Sequence, residues 1–111
     1  MAELSPLQLR TIERLFAAGC RPLTLAPYEN GVCLRRGECA AVLGPVPNGG
    51  FRLLAPASYL VEGRLSVLLQ RGDREFFVWK SSEVEATTER RAELEQFRRE
   101  LGALLEEGAA Q

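Results

Sequence analysis

The chain has 111 residues, of which 46% are apolar and 26% are charged, values that exclude the low-hydrophobicity, high-charge composition of a disordered chain. Its 14 basic and 15 acidic residues give a net charge of −1, so no global field attracts nucleic acid or an anionic membrane. No apolar run approaches the ~20 residues of a membrane span, and the first residues lack the pattern of a secretory signal. We expect one cytoplasmic domain over residues 5–107, with a frayed tail at 108–111.

The N-terminal segment carries the clearest helix signal. Ser5 can cap a helix, Pro6 fits the first turn and Gln8 completes a capping box, while Gly19 offers a left-handed stop. These features predict a helix over residues 6–18. Apolar residues at three- and four-residue steps predict one buried stripe: Leu9, Ile12, Leu15 and Phe16.

Residues 22–80 consist of short apolar runs separated by turn residues, a pattern that predicts consecutive antiparallel strands. Asn30-Gly31 favours a type I′ turn joining strands at 23–29 and 32–35. Pro27 favours an edge position for the first of these strands, because proline has no N–H to donate to a neighbouring strand.

The second hairpin is predicted around Gly37. A three-residue loop over 35–37 leads into a strand over 39–43, a register that places Cys33 opposite Cys39. A loop follows at 45–50.

A short strand is then predicted over residues 51–55. Pro56 is expected to end it, because proline interrupts a hydrogen-bonded ladder.

The third hairpin carries the strongest strand signal. Gly72-Asp73 suits a type II′ turn between strands at 64–70 and 74–80, and counting outward pairs Leu69 with Phe76 and Val67 with Val78. One face then carries Leu65, Val67, Leu69, Phe76 and Val78, and the other carries Leu68, Phe77 and Trp79. Because both faces are apolar, we expect these strands to be central and covered on both sides.

The C-terminal segment predicts a second helical region. Ser82 and Glu85 have capping-box spacing, and Thr87 or Thr88 can cap a longer helix behind them. An apolar stripe follows at steps of three and four residues: Leu94, Phe97, Leu101 and Leu104. Its two heptads favour packing on the sheet, with a dimer seam or partner surface as the alternative.

Candidate chemistry is sparse. The chain contains no histidine, which excludes Ser-His and Cys-His nucleophile activation and the common zinc sites. Cys20, Cys33 and Cys39 lack zinc-ligand spacing and are expected to be buried thiols. Asp73 is the single aspartate and has a turn role, so we predict no catalytic site, metal or cofactor.

Arginine supplies 13 of the 14 basic residues. The candidate anion contacts are Arg35, Arg36, Arg90 and Arg98, and Arg91 and Arg99 extend them in a nucleic-acid hypothesis. Nearby glutamates dilute the potential, and i,i+4 pairs such as Glu95 with Arg99 favour a solvated helix face over a nucleic-acid surface.

Together these signals predict an α+β domain. An N-terminal helix precedes an antiparallel meander of about six strands, a curved sheet or small roll, with a long C-terminal helix packed on it. A pleckstrin-homology-like barrel is an alternative from element order alone.

The leading functional hypothesis is a non-enzymatic binding or assembly module, with self-association or another protein as the partner. Nucleic-acid binding is the second hypothesis. A small-ligand module or enzyme is the third, and a concave pocket holding Tyr28, Tyr59, an arginine or a cysteine would favour it.

Overall fold

The computed structural model describes residues 4–25, 28, 31–47 and 49–109. It confirms an α+β architecture with a helix at each end: α1 (Pro6–Ala17) and α2 (Thr88–Ala109). Among the described residues, eight antiparallel strands lie between them: β1 (Arg21–Leu23), β2 (Val32–Arg36), β3 (Cys39–Pro45), β4 (Phe51–Val61), β5 (Arg64–Leu65), β6 (Val67–Arg71), β7 (Arg74–Trp79) and β8 (Ser82–Glu85). They form a five-stranded sheet, β1-β2-β3-β4-β5, and a three-stranded sheet, β6-β7-β8. The described strands therefore do not close into a barrel.

Helix α1 begins with the predicted capping box. The Ser5 hydroxyl accepts from the Gln8 backbone N–H at 3.1 Å, and the Gln8 side chain accepts from the Ser5 N–H at 2.9 Å. The predicted stripe is only partly correct, since Leu9 and Phe16 are exposed. The buried face instead carries Gln8, because its amide donates to the carbonyls of Gly49 and Gly50 at 3.2 Å.

The first hairpin has a different connection from the predicted one. Leu23 lies opposite Cys33, so a two-residue turn at residues 30–31 is wrong; Pro27 and Asn30 lie outside the described residues. Strand β1 ends at Leu23, and Leu25 is buried against Cys33 and Val42. The edge position of β1 is confirmed.

The second hairpin has a two-residue turn. Arg36 lies opposite Cys39, so Gly37-Glu38 form the turn, and Gly37 has a φ of 61°. The predicted pairing of Cys33 with Cys39 is wrong because Cys33 faces Val42.

Strand β4 continues through Pro56, contrary to the expected stop. Val42 lies opposite Ala55 and Ala40 lies opposite Ser58, so two residues of β4 face the single residue Ala41. Pro56 is one of those two, and a bulge accommodates a residue that has no N–H for the ladder.

The third hairpin has the predicted pairing, including Leu69 with Phe76 and Val67 with Val78. Its predicted central, doubly covered position is wrong. Phe77 is buried, and its ring stacks on Tyr59 with centroids 4.7 Å apart, but every residue of β6 is exposed.

The predicted helical start at Ser82 is also wrong, since residues 82–85 form β8 against β7. Helix α2 begins after Thr87, whose hydroxyl accepts from the Arg90 N–H at 3.2 Å. Within the described residues, neither helix has both the length and the apolar composition needed to cross a membrane.

The apolar stripe of α2 belongs to the core. Leu94, Phe97 and Leu101 are buried there and Leu104 packs against them, as expected for a helix that covers a sheet. The burial of these side chains favours packing on the sheet, and the alternative, a partner surface on this stripe, stays a prediction.

We predict that Phe97→Ala lowers the free energy of unfolding by about 3–5 kcal/mol, because the change opens a cavity around a side chain that is 2% exposed. Urea denaturation followed by circular dichroism measures it. Phe16→Ala is the control, with an expected loss of about 1 kcal/mol or less at an exposed site. Equal losses would contradict the assignment of Phe97 to the core.

Candidate functional site

The two sheets separate at Ser66. The Ser66 backbone N–H and hydroxyl both donate to the Tyr59 carbonyl, at 3.2 and 2.6 Å. Residues 64–65 therefore pair with β4, whereas residues 67–71 pair only with β7 among the described strands. The strand predicted over 64–70 is thus divided in two.

A cleft of about 550 Å³ lies where the sheets part, under helix α2. Tyr59, Phe77 and Leu94 supply apolar lining, whereas Arg91 and Arg98 from α2 supply polar groups. The volume lies in the range of roughly 300–1,000 Å³ that is typical of small-molecule sites. The cleft holds Tyr59 and two arginines, which are among the groups that the sequence analysis associated with a ligand pocket.

Three of the polar residues that line the cleft have partners within the chain. Arg91 forms an ion pair with Glu75 at 2.6 Å. Arg98 donates through Nε and Nη2 to the Ala57 carbonyl at 3.0 and 2.8 Å. The Ser58 hydroxyl donates to the Pro56 carbonyl at 3.1 Å. The cleft therefore offers mainly apolar contact, with polar groups held in place by the fold.

The second feature of this region is the outer edge of β6. Three consecutive large aliphatic residues are exposed there: Val67 by 62%, Leu68 by 46% and Leu69 by 43%. Because successive side chains of a strand point to opposite faces, Leu68 lies on the cleft side, whereas Val67 and Leu69 lie on the outer face. This edge is not among the features predicted from the sequence, although Ser66 is a polar interruption in the apolar run.

The outer face of the three-stranded sheet combines apolar residues with ion pairs. Phe76 and Val78 lie across from Leu69 and Val67 and are half-buried. Arg71 pairs with Glu83 and Arg74 pairs with Glu85, and both guanidinium groups lie over the Phe76 ring within 6 Å of its centroid. The two arginines thus lie toward the turn end of the face, whereas Glu83 lies in the same cross-strand row as Val67 and Val78.

The other three edge strands carry features that oppose strand addition. β1 contains Pro22, which has no N–H to donate, and β5 has only two residues. β8 contains Glu83 and Glu85, and the Arg90 guanidinium donates to the Glu85 carbonyl at 2.8 Å. Among the edges that the described strands form, β6 lacks such protection over its first three residues.

Each of the candidate anion-binding arginines has a guanidinium group that donates to an acceptor within the chain. Their acceptors within the chain are Gly37 and Glu38 for Arg35, Ala18 and Glu100 for Arg36, Glu85 for Arg90, and Ala57 for Arg98. Arg36 also lies over the Phe97 ring, 5.4 Å from its centroid. Arg99 is exposed. Anion contact through these residues stays a prediction.

The cysteines are all free and buried. Burial raises the pKa of the Cys39 thiol to about 11, and the nearby Glu93 carboxylate adds to this increase. Burial likewise raises the pKa of Cys20. A raised pKa disfavours the thiolate, which is the nucleophile and metal ligand. Within the described part of the chain, no group of three or more His, Cys, Asp or Glu residues could hold a metal ion.

Comparison with protein-family models, curated proteins and solved structures gives no match to this chain. The cleft and the β6 edge are therefore interpreted from their own geometry.

We predict that stability falls as the pH rises from about 9 to about 11. In that interval the folded state keeps the Cys39 proton while the unfolded state releases it, so unfolding is favoured by rising pH. Urea midpoints measured at pH 8, 9.5 and 10.5 should decrease more steeply for the wild type than for Cys39→Ala. Parallel profiles would contradict this assignment.

Proposed function

We propose that this protein is a non-enzymatic binding and assembly module that binds another protein chain through the edge of β6. The observation that carries this proposal is the exposure of Val67, Leu68 and Leu69 on a strand whose outer edge has no neighbour among the described residues. A sheet edge of this kind is a template for another strand.

Strand addition uses the two properties that β6 combines. Backbone N–H and C=O groups along the edge supply hydrogen bonds, and alternate side chains supply specificity. Leu68 offers an apolar contact on the cleft side, and Val67 and Leu69 offer apolar contacts on the outer face. Self-association is the simplest use of such a surface, because symmetric homo-oligomers are the commonest assemblies.

The engaged arginines favour protein over nucleic acid as the partner. Phosphate binding requires cationic groups that are able to contact the backbone, yet Arg36 and Arg98 are held by acceptors within the fold. The ion pair of Arg91 with Glu75 further reduces the positive potential of α2.

We predict concentration-dependent self-association of the wild-type chain in sedimentation velocity across the micromolar range. Val67→Lys should shift the equilibrium toward monomer by at least about tenfold, since a charge at an edge strand opposes pairing. Leu9→Lys is the matched control, because Leu9 is an exposed apolar residue on α1, and it should leave association unchanged. A wild-type species that stays monomeric at all concentrations would count against self-association.

The cleft supports a second candidate function, the binding of a small ligand. Its volume of about 550 Å³ and the stacked Tyr59 and Phe77 rings suit an apolar body. Arg91, Arg98 and Glu95 also line the cleft, so a polar substituent of the ligand would meet side chains of both charges.

We predict that the apolar anionic dye anilinonaphthalene sulfonate binds in this cleft and that Ala92→Trp weakens its binding by about tenfold. Ala92 lines the cleft, so a large side chain there fills the space. Gln96→Trp is the control, because residue 96 is exposed on α2 and is not a lining residue. Fluorescence titration measures both, and an equal effect of the two substitutions would place the dye elsewhere.

A further inference from the structure

We infer that the strand that pairs with β6 is the β6 strand of a second copy of this chain, antiparallel to the first and related to it by a twofold axis at Leu69. This inference rests on the proposed assembly function and adds its partner and register. The backbone groups, the twofold geometry and the charges of β6 each support it.

The backbone groups that β6 leaves outward are those of Leu68 and Gln70. Arg71 and Arg74 flank the two-residue turn, so they form a hydrogen-bonded pair, and the bonding alternates from there along the hairpin. The Ala86 N–H donates to the Glu75 carbonyl at 2.8 Å, which shows that Glu75 bonds toward β8. Its opposite residue, Gln70, therefore does not bond to β7, and neither does Leu68.

A twofold axis limits how two such edges can pair. The axis is perpendicular to the sheet and keeps each residue's side chain on the same face, so one residue must lie opposite its own copy or opposite a residue an even number of positions away. With Leu69 opposite Leu69, each Leu68 lies opposite Gln70 of the other copy. All four outward N–H and C=O groups of each edge then have partners.

The symmetric register centred on Leu68 gives partners to fewer of the outward N–H and C=O groups. If Leu68 lay opposite its own copy, Gln70 would lie opposite Ser66. The Ser66 N–H already donates to the Tyr59 carbonyl, so Gln70 would lose one of its two partners. In the register centred on Gln70, Leu68 would lie opposite Gly72, a turn residue outside β6. The register centred on Leu69 is therefore favoured over both.

The charge distribution favours the antiparallel orientation. Arg71 is the one charged residue of β6, and it is paired with Glu83 of its own sheet. A parallel arrangement in register would place the two Arg71 side chains next to each other, which costs free energy. The antiparallel arrangement places Arg71 opposite Val67, so the two guanidinium groups lie at opposite ends of the ribbon, more than a Debye length of about 8–10 Å apart.

Cysteine cross-linking tests this register directly. In the proposed dimer the two Leu69 residues form a non-hydrogen-bonded pair with Cα atoms about 4.5 Å apart, a distance that a disulfide can bridge. Oxidation of Leu69→Cys with copper phenanthroline should therefore convert most of the dimer to a species that migrates as a covalent dimer without reductant. The wild type is the background control, because its three cysteines are buried.

Two further variants fix the orientation. Residues 67 of the two copies would lie roughly 14 Å apart, four strand positions at ~3.4 Å each, so Val67→Cys alone should not cross-link, and neither should Arg71→Cys alone. An equimolar mixture of Val67→Cys and Arg71→Cys should cross-link, since these positions face each other. Both sites are exposed, and circular dichroism checks that each variant is folded.

The outcomes separate this inference from the function on which it rests. A protein that is monomeric in sedimentation overturns both self-association and this register. A dimer in which Leu68→Cys cross-links and Leu69→Cys does not overturns the register alone. Cross-linking of Val67→Cys and Arg71→Cys each with itself overturns the antiparallel orientation, and a dimer without any cross-link at β6 overturns this interface.

Discussion

The hydrogen bonds from Ser66 to the Tyr59 carbonyl lie at the point where the chain leaves the five-stranded sheet for the three-stranded sheet. They hold residues 64–65 on β4 and direct the following residues away from it. Because β6 then pairs only with β7 among the described strands, the division creates a cleft on one side and an unpaired edge on the other. Both candidate surfaces therefore lie where the chain divides at the buried Ser66.

Arginines of α2 donate to carbonyl groups at two irregular places in the sheets, the bulge of β4 and the outer edge of β8. Arg98 reaches from α2 to the Ala57 carbonyl on β4, and Arg90 reaches to the Glu85 carbonyl on β8. Burying a carbonyl without a donor is costly, so the basic residues of α2 contribute to the fold more directly than to any surface potential. This is why a sequence with many arginines need not be an anion-binding protein.

The sequence was sufficient to predict those elements whose structure depends on local chemistry. The capping box at Ser5, the Gly72-Asp73 turn and the apolar stripe of α2 depend on neighbouring residues or on simple periodicity. The sequence was insufficient to predict structure that depends on contacts between residues far apart in the chain. The path of β4 through Pro56 depends on a bulge opposite Ala41, and the exposure of β6 depends on the Ser66 contact with Tyr59. An apolar strand looks the same in a sequence whether a sheet or a partner chain covers it.

The β6 edge would favour open-ended aggregation if nothing limited its pairing. Twofold pairing of β6 uses both edges at once and gives a six-stranded sheet that ends in β8 on each side. Those outer edges carry Glu83 and Glu85, and Arg90 already binds the Glu85 carbonyl, so a further strand would meet charge and an engaged acceptor. The proposed contact is therefore self-limiting. One edge of the three-stranded sheet, β6, pairs with its copy, and the other edge, β8, opposes the addition of a further strand. A closed dimer instead of a filament requires such a difference between the two edges.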